Sequence, residues 1–285
     1  MPGIVPDQCA RKIYIAGYFN HNIVCIDDMD GSGWIAYGTD GFGIGNFHYP
    51  SGITIGPDEK IYIAGYETND IIRIDNMYGD NWISYGTAGS DTGQFSRPTD
   101  VNFGPDGKLY IADCYNDRVV RIDDMTGAGW TEYGSAGSDT GNFSLPSFID
   151  VGRDGKIYAS DIGNHRIVRI DDMTGAGWTD LGGFNVPREI IAAPDGKIYV
   201  ADADDNHIVR IDNMTGTGWI TFGEGILSYP IGMAIDALGR IYITERFNHR
   251  VTRIDDMTGV GIISYGTFGS GIGQFNQPCG IAIGQ

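Results

Sequence analysis

The chain has 285 residues, a formal charge of −18 and 41% apolar residues, enough to bury a sizeable core and too apolar for a disordered tail. No run of about eighteen apolar residues occurs, so nothing reads as a membrane-spanning helix, and 37 acidic against 19 basic side chains without a basic stripe argue against nucleic acid as a partner. Glycine, at 44 residues, is about twice its usual share of roughly 7%; lacking a three-residue period, it marks many turns between short strands.

The string Lys/Arg-Ile/Leu-Tyr begins at Lys12, Lys60, Lys108, Lys156, Lys197 and Arg240, in steps of 41 to 48 residues. Each copy leads to an Ile-Asp step, from Ile26-Asp27 to Ile254-Asp255, then to a glycine turn, an aromatic outer segment and a proline that opens the next apolar stretch. The fourth unit shows the parts. Phe148–Val151 reads as a short strand, Arg153-Asp-Gly-Lys156 as a turn, Ile157–Asp161 as a second strand, Ile167–Asp171 as a third and Trp178–Leu181 as an outer one. No stretch shows the helical apolar period. The chain is therefore expected to be all-β: a six-bladed β-propeller of four-stranded antiparallel blades, because a blade of 40 to 50 residues buries both faces only between two others.

Blade cores are expected near 12–38, 51–86, 99–134, 147–182, 188–223 and 231–266 within a single domain spanning 1–285. Pro278-Cys-Gly-Ile-Ala-Ile-Gly284 matches the opening strand Pro50-Ser-Gly-Ile-Thr-Ile-Gly56, and the first unit lacks such a strand before Lys12. Residues 277–284 should therefore complete the first blade and close the ring.

At the second turn the copies read Gly17-Tyr-Phe-Asn-His-Asn22, Gly65-Tyr-Glu-Thr-Asn-Asp70, Asp113-Cys-Tyr-Asn-Asp-Arg118, Asp161-Ile-Gly-Asn-His-Arg166, Asp202-Ala-Asp-Asp-Asn-His207 and Glu245-Arg-Phe-Asn-His-Arg250. An acid and an Arg facing each other across a hairpin should pair, with Asn bonding local backbone; Gly17 and Gly65 require another arrangement in the first two units. This turn resembles the NHL repeat, named for its Asn-His-Leu core, over essentially the whole chain. The resemblance implies a peptide, protein or RNA platform, or a relative of six-bladed lyases and lactonases, and leaves function to be argued from a site.

Ten carboxylates crowd the Ile-Asp-Asp/Asn-Met turns, giving one strongly acidic face suited to solubility or a basic partner. Asp30 lies in a segment without EF-hand spacing. His21, His165 and His249 occupy equivalent turn tips, too far apart for a shared metal, and His48 lies in a loop without an evident partner. No serine elbow, zincin helix, P-loop or dinucleotide fingerprint is present. Cys9, Cys25, Cys114 and Cys279 each occur in one unit only and read as thiols rather than a disulfide framework. The opening Met-Pro-Gly-Ile-Val-Pro-Asp has no secretory pattern, so the expectation is cytoplasmic if Met1 is native, and secreted with a removed leader otherwise.

Two features break the sixfold pattern. From the Gly ending an outer strand to the next opening Pro the offset is 12 residues in four units but 5 from Gly182 to Pro187 and 7 from Gly223 to Pro230. Four tall walls and two adjacent low ones make a notch. On the inner strands, the position of Gly52 carries Asp100, Phe148, Glu189, Gly232 and Gly280, and that of Thr54 carries Asn102, Asp150, Ile191, Ala234 and Ala282.

Arg97 and Arg188 lie beside prolines and are expected to pair with these acids across blades. Arg97, Asp100, Asn102, Asp150, Arg188 and Glu189 thus form the candidate ligand or partner site of a non-catalytic scaffold. The alternatives are a calcium-assisted hydrolase or lyase, similar to gluconolactonase-like propellers, with Asp100, Asn102, Asp150 and Glu189 as ligands, and a structural module of a larger assembly. The repeated Phe47, Phe95, Phe143 and Phe275, like Trp34, Trp82, Trp130, Trp178 and Trp219, read as packing plugs.

Overall fold

A computed structural model describes residues 12–284. Six four-stranded antiparallel sheets form the blades, each running in chain order from an inner to an outer strand. The exception is the first, where Pro278–Ile283 supplies the inner strand to Ile13–Gly17, Asn22–Ile26 and Ile35–Tyr37. Ile13 lies opposite Ile283 and Ile15 opposite Ile281. The ring is closed by its own last strand. No described helix is long and apolar enough to cross a membrane.

The core consists of the seams between blades. Alternating side chains of neighbouring strands form six buried clusters, one per seam, which follows from sheets that are apolar on both faces and flanked on both. Phe47, Phe95, Phe143 and Phe275 are fully buried in four seams. Each packs on a tryptophan at ring-centroid distances of 5.2 to 5.4 Å. In the two short-loop seams Phe184 and Leu227 take the plug position. The glycine before each long loop makes room for the plug: Gly134 has φ 114°, and a Cβ there would lie 2.6 Å from the Phe143 ring.

The second turn locks blade to blade. Asp113–Arg118 and Asp161–Arg166 pair at 2.8 Å and Glu245–Arg250 at 2.6 Å, the acids fully buried. The asparagines reach further than their own hairpin. Asn116 and Asn164 donate to their acids and also to the carbonyls of Gly89 and Gly137 in the preceding long loops. The next residue, His21, Asn69, Asp117, His165, Asn206 or His249, adopts the left-handed region, where Asn, Asp and His are enriched. In five blades its side chain accepts the N–H of the residue before the next blade's proline, at 2.8 to 3.4 Å. Where Gly65 stands in the acidic slot, Thr68 donates to Asp70 instead. Where Gly17 does, Asn20 accepts the Asn276 N–H.

On the opposite face, Lys12, Lys60, Lys108 and Lys156 pair with Asp27, Asp75, Asp123 and Asp171, while Asp124, Asp172 and Asp256 accept hydrogen bonds within their own turns. Cys25, Cys114 and Cys279 are buried; Cys9 lies outside the described residues.

Candidate functional site

The inner strands surround a channel with two unlike mouths. Every inner strand departs from regular pairing just past its proline; in the fifth blade Pro187 faces Asp202 and the next regular pair is Ile190 with Val200. This bulge turns Arg188 toward the long-loop face, while Glu189 and the residues after it point toward the other end. A bulge commonly re-aims a side chain in this way.

At the end near the Asp-Gly-Lys turns a cavity of about 180 Å³ is lined by Thr54, Asp100, Asn102, Asp150 and Glu189 among apolar neighbours. Asp100 and Glu189 are only 5% and 7% exposed. The carboxylates serve backbone across the seams. Asp100 accepts the Ile149 N–H of the fourth blade at 3.1 Å, Asp150 the Ala192 N–H of the fifth at 2.8 Å, and Glu189 the Met233 N–H of the sixth. Asn102 donates to Asp150 at 2.9 Å.

Among the described residues none of the three acids has an ion-pair partner. Burial, assisted by their mutual repulsion, pushes Asp100 up to about 7 and Glu189 well above the usual carboxylate range, and burial pushes Asp150 up to about 6. The expected pairing of these acids with Arg97 and Arg188 is therefore corrected: backbone N–H groups, not guanidinium groups, are their partners. The physical reason is the bulge, which separates residue 188 from residue 189 along the channel.

The two arginines lie at the opposite mouth. Arg97 pairs with Glu67 at 2.9 Å and lies over the rings of Tyr66 and Tyr115 at 5.4 and 4.8 Å. Arg188 lines a second cavity, of about 210 Å³, with Tyr18, Ser51, Tyr66, Thr99, Arg246 and Gln277. Its contacts are long ones, to the Ser147 hydroxyl at 3.3 Å and the Tyr229 hydroxyl at 3.4 Å, and its Nε is buried without a partner. Arg246 donates to Gln277 at 2.6 Å and lies over Tyr18 and Tyr229 at 5.5 and 5.8 Å. Neither Arg188 nor Arg246 has a carboxylate partner among the described residues.

Aromatic rings extend this mouth outward. Tyr18 contacts Phe19, Tyr49 and Tyr66 at centroid distances of 5.2, 4.9 and 5.8 Å, and Tyr229 contacts Phe247 at 4.8 Å. Phe19, Tyr115 and Phe247 are exposed. Burial raises the Tyr18 and Tyr66 phenols above their ordinary value, so both stay neutral donors.

Of the sequence candidates, Asp100, Asn102, Asp150 and Glu189 share one cavity, Arg188 sits in the other and Arg97 on its rim. Sequence reasoning missed Arg246, Tyr18, Tyr66 and Tyr229. Their signal was available: the residue after the acidic slot and the residue before the opening proline differ from unit to unit, and the fold gathers both positions around the mouth.

A family model of the NHL repeat matches residues 227–254. No curated protein sequence matches the chain. Among solved structures the chain is similar to one in the nidogen/laminin complex, with a TM-score of 0.74 at 15% identity over 97% of this chain and 99% of that one. It is also similar to a catalytically inactive virginiamycin B lyase from Staphylococcus aureus with quinupristin, TM-score 0.62 at 21% identity over 91% and 85% of the two chains. A third, a streptogramin B lyase, has a TM-score of 0.59 at 21% identity over 76% and 68%. At such identities the likeness is one of fold.

Proposed function

Because the chain is an NHL-repeat six-bladed β-propeller, we propose that it is a non-catalytic binding module whose long-loop face takes a carboxylate-bearing protein or peptide segment at the channel mouth. The observation that carries this reading is the pair Arg188 and Arg246, two cations without a carboxylate partner among the described residues of a chain where acids outnumber bases 37 to 19. In so acidic a chain an arginine free of acids is held free by the fold, and its planar donor fork suits a carboxylate. The two low walls, Gly182 to Pro187 and Gly223 to Pro230, flank the fifth blade that carries Arg188, so access and charge coincide. Exposed Phe19, Tyr115 and Phe247 supply the aromatic contact area that binding surfaces favour. The chain's overall negative charge opposes such a segment only weakly, since at physiological salt it is screened beyond about 8 Å.

The nidogen/laminin complex supports the use of this fold in protein association. The lyase likenesses support the alternative, a calcium-assisted enzyme using Asp100, Asn102, Asp150 and Glu189, but those carboxylates are engaged with backbone N–H groups. An unchanged melting temperature on adding calcium or a chelator counts against that alternative, because a bound ion stabilises the folded state.

The test of the binding reading is capture of partners by the immobilised chain and by an Arg188→Gln/Arg246→Gln variant. Loss of a partner from the variant, and its competition by a peptide acid but not the corresponding peptide amide, is expected. Recovery of the same partners by both chains overturns the placement.

A further inference from the structure

The first long loop differs from its three counterparts at two positions that the fold brings together. Asp40 stands where the others have Ala88, Ala136 and Phe268, and His48 where they have Ser96, Ser144 and Asn276. His48 Nδ1 lies 2.7 Å from Asp40 Oδ1, correcting the expectation that His48 has no partner. His21 Nδ1, from the second turn of the same blade, lies 3.3 Å from that same oxygen. The two imidazoles are nearly parallel, 5.4 Å between centroids and 16° between planes. The three ligand atoms all lie within 4.8 Å of one another.

Each side chain projects from a fixed piece of backbone. Asp40 belongs to a two-residue parallel pairing with Asn46–Phe47, His48 directly follows the buried plug Phe47, and His21 holds the left-handed position of its turn. Tyr49 packs on both imidazoles, at 4.7 and 4.5 Å, and Phe42 on His48 at 5.2 Å, which limits how far the rings turn. His21 Nδ1 accepts the Tyr49 N–H at 3.4 Å, the longest of the five equivalent contacts. Little is lost if that nitrogen turns to another partner.

We propose that His21, Asp40 and His48 form a binding site for a divalent transition-metal ion of the zinc class. Two imidazole nitrogens and one carboxylate oxygen are a donor set for zinc and its neighbours rather than for calcium or magnesium, which want oxygen throughout. Three protein ligands leave a fourth position for water or a donor from a bound partner. This site is independent of the arginine mouth, and neither stands or falls with the other.

The test is a titration of the chelator-treated full chain with zinc chloride, followed by calorimetry and by melting temperature. The comparison chain is Asp40→Ala/His48→Ser, which gives the first loop the residues found in the second and third and so leaves its folding intact. His207→Ala serves as a control for the other three-residue group, Asp202, Asp205 and His207. One equivalent of zinc bound by the wild type and by His207→Ala, about tenfold or more weaker in the double variant, with a zinc-dependent rise in melting temperature only where binding persists, is the expected result. No zinc uptake by the wild type, equal uptake by the double variant, or calcium binding that the double variant loses overturns the proposal.

Discussion

The two ends of the channel are built from the same six inner strands, yet among the described residues one holds three carboxylates without an ion-pair partner and the other holds two arginines, Arg188 and Arg246, without one, beside the paired Arg97 and Glu67. At the acidic end each charge has a structural task, since the innermost strand of every blade exposes one edge of backbone donors that no further strand satisfies. In the third to fifth blades Asp100, Asp150 and Glu189 reach across to those donors. In the sixth, first and second, glycines let the strands approach directly: a Cβ on Gly280 would lie 2.6 Å from the Ser51 carbonyl oxygen and 2.9 Å from Gly52 Cα. At the arginine end Arg188 Nε is buried without a hydrogen-bond partner among the described residues. Structure consumes the polar groups at one mouth and leaves them available at the other.

Removing the acceptors tests this contrast with the largest effect. Asp100→Ala orphans the buried Ile149 N–H and Asp150→Ala the half-buried Ala192 N–H, at a cost of about 1–3 kcal/mol each, while the Asn variants keep an acceptor oxygen and cost less. Urea denaturation reads both, and equal stability of the Ala and Asn series breaks the contrast.

Acidity gives the next largest effect. Asp100 and Asp202 are raised to about 7 and Asp150 to about 6 from an ordinary value of 3.8, so the folded chain holds more protons than the unfolded one between these limits. Their contribution is complete below about pH 4 and is lost as pH rises through 6 to 7. Asp75, lowered to about 2 by Arg73, acts in the opposite direction at lower pH. The melting temperature is expected to be higher at pH 5 than at pH 8, with the difference reduced in Asp100→Asn/Asp150→Asn.

A smaller gain is expected where the fifth blade departs from the repeat. Asp202 is buried with one oxygen unpartnered, and His207, in the slot of the sister blades' arginines, stands 3.8 Å away. His207→Arg restores the pair seen at 2.8 Å in the third and fourth blades and should add about 1 kcal/mol, measured by denaturant midpoint. Smallest of all is the stability change for Arg188→Gln with Arg246→Gln, under about 1 kcal/mol; a larger loss gives these arginines a structural task and removes the difference between the mouths.

What repeats along the chain was legible, because a residue that recurs in six equivalent environments meets one physical demand six times. The plugs at Phe47, Phe95, Phe143 and Phe275, the Asp–Arg hairpin pairs and the closing strand at Pro278–Ile283 were all read this way. The channel acids were legible as departures from that repetition, but their partners were not, since backbone N–H groups leave no letter in a sequence.

Arg188 and Glu189 show the limit most plainly. Adjacent in the chain and expected to act together, they are sent to opposite mouths by a bulge that no residue type announces. Arg246 meets Tyr18 and Gln277 only when the ring closes, and His21, on the second turn of the first blade, meets Asp40 and His48 only when its long loop folds back over that turn. Composition and period were sufficient for the number of blades and their internal order, because strand pairing is local and each blade needs two neighbours to bury its faces. Which polar groups end up spent and which remain free was decided by tertiary structure, because that depends on distances of a few ångströms across seams and around the channel.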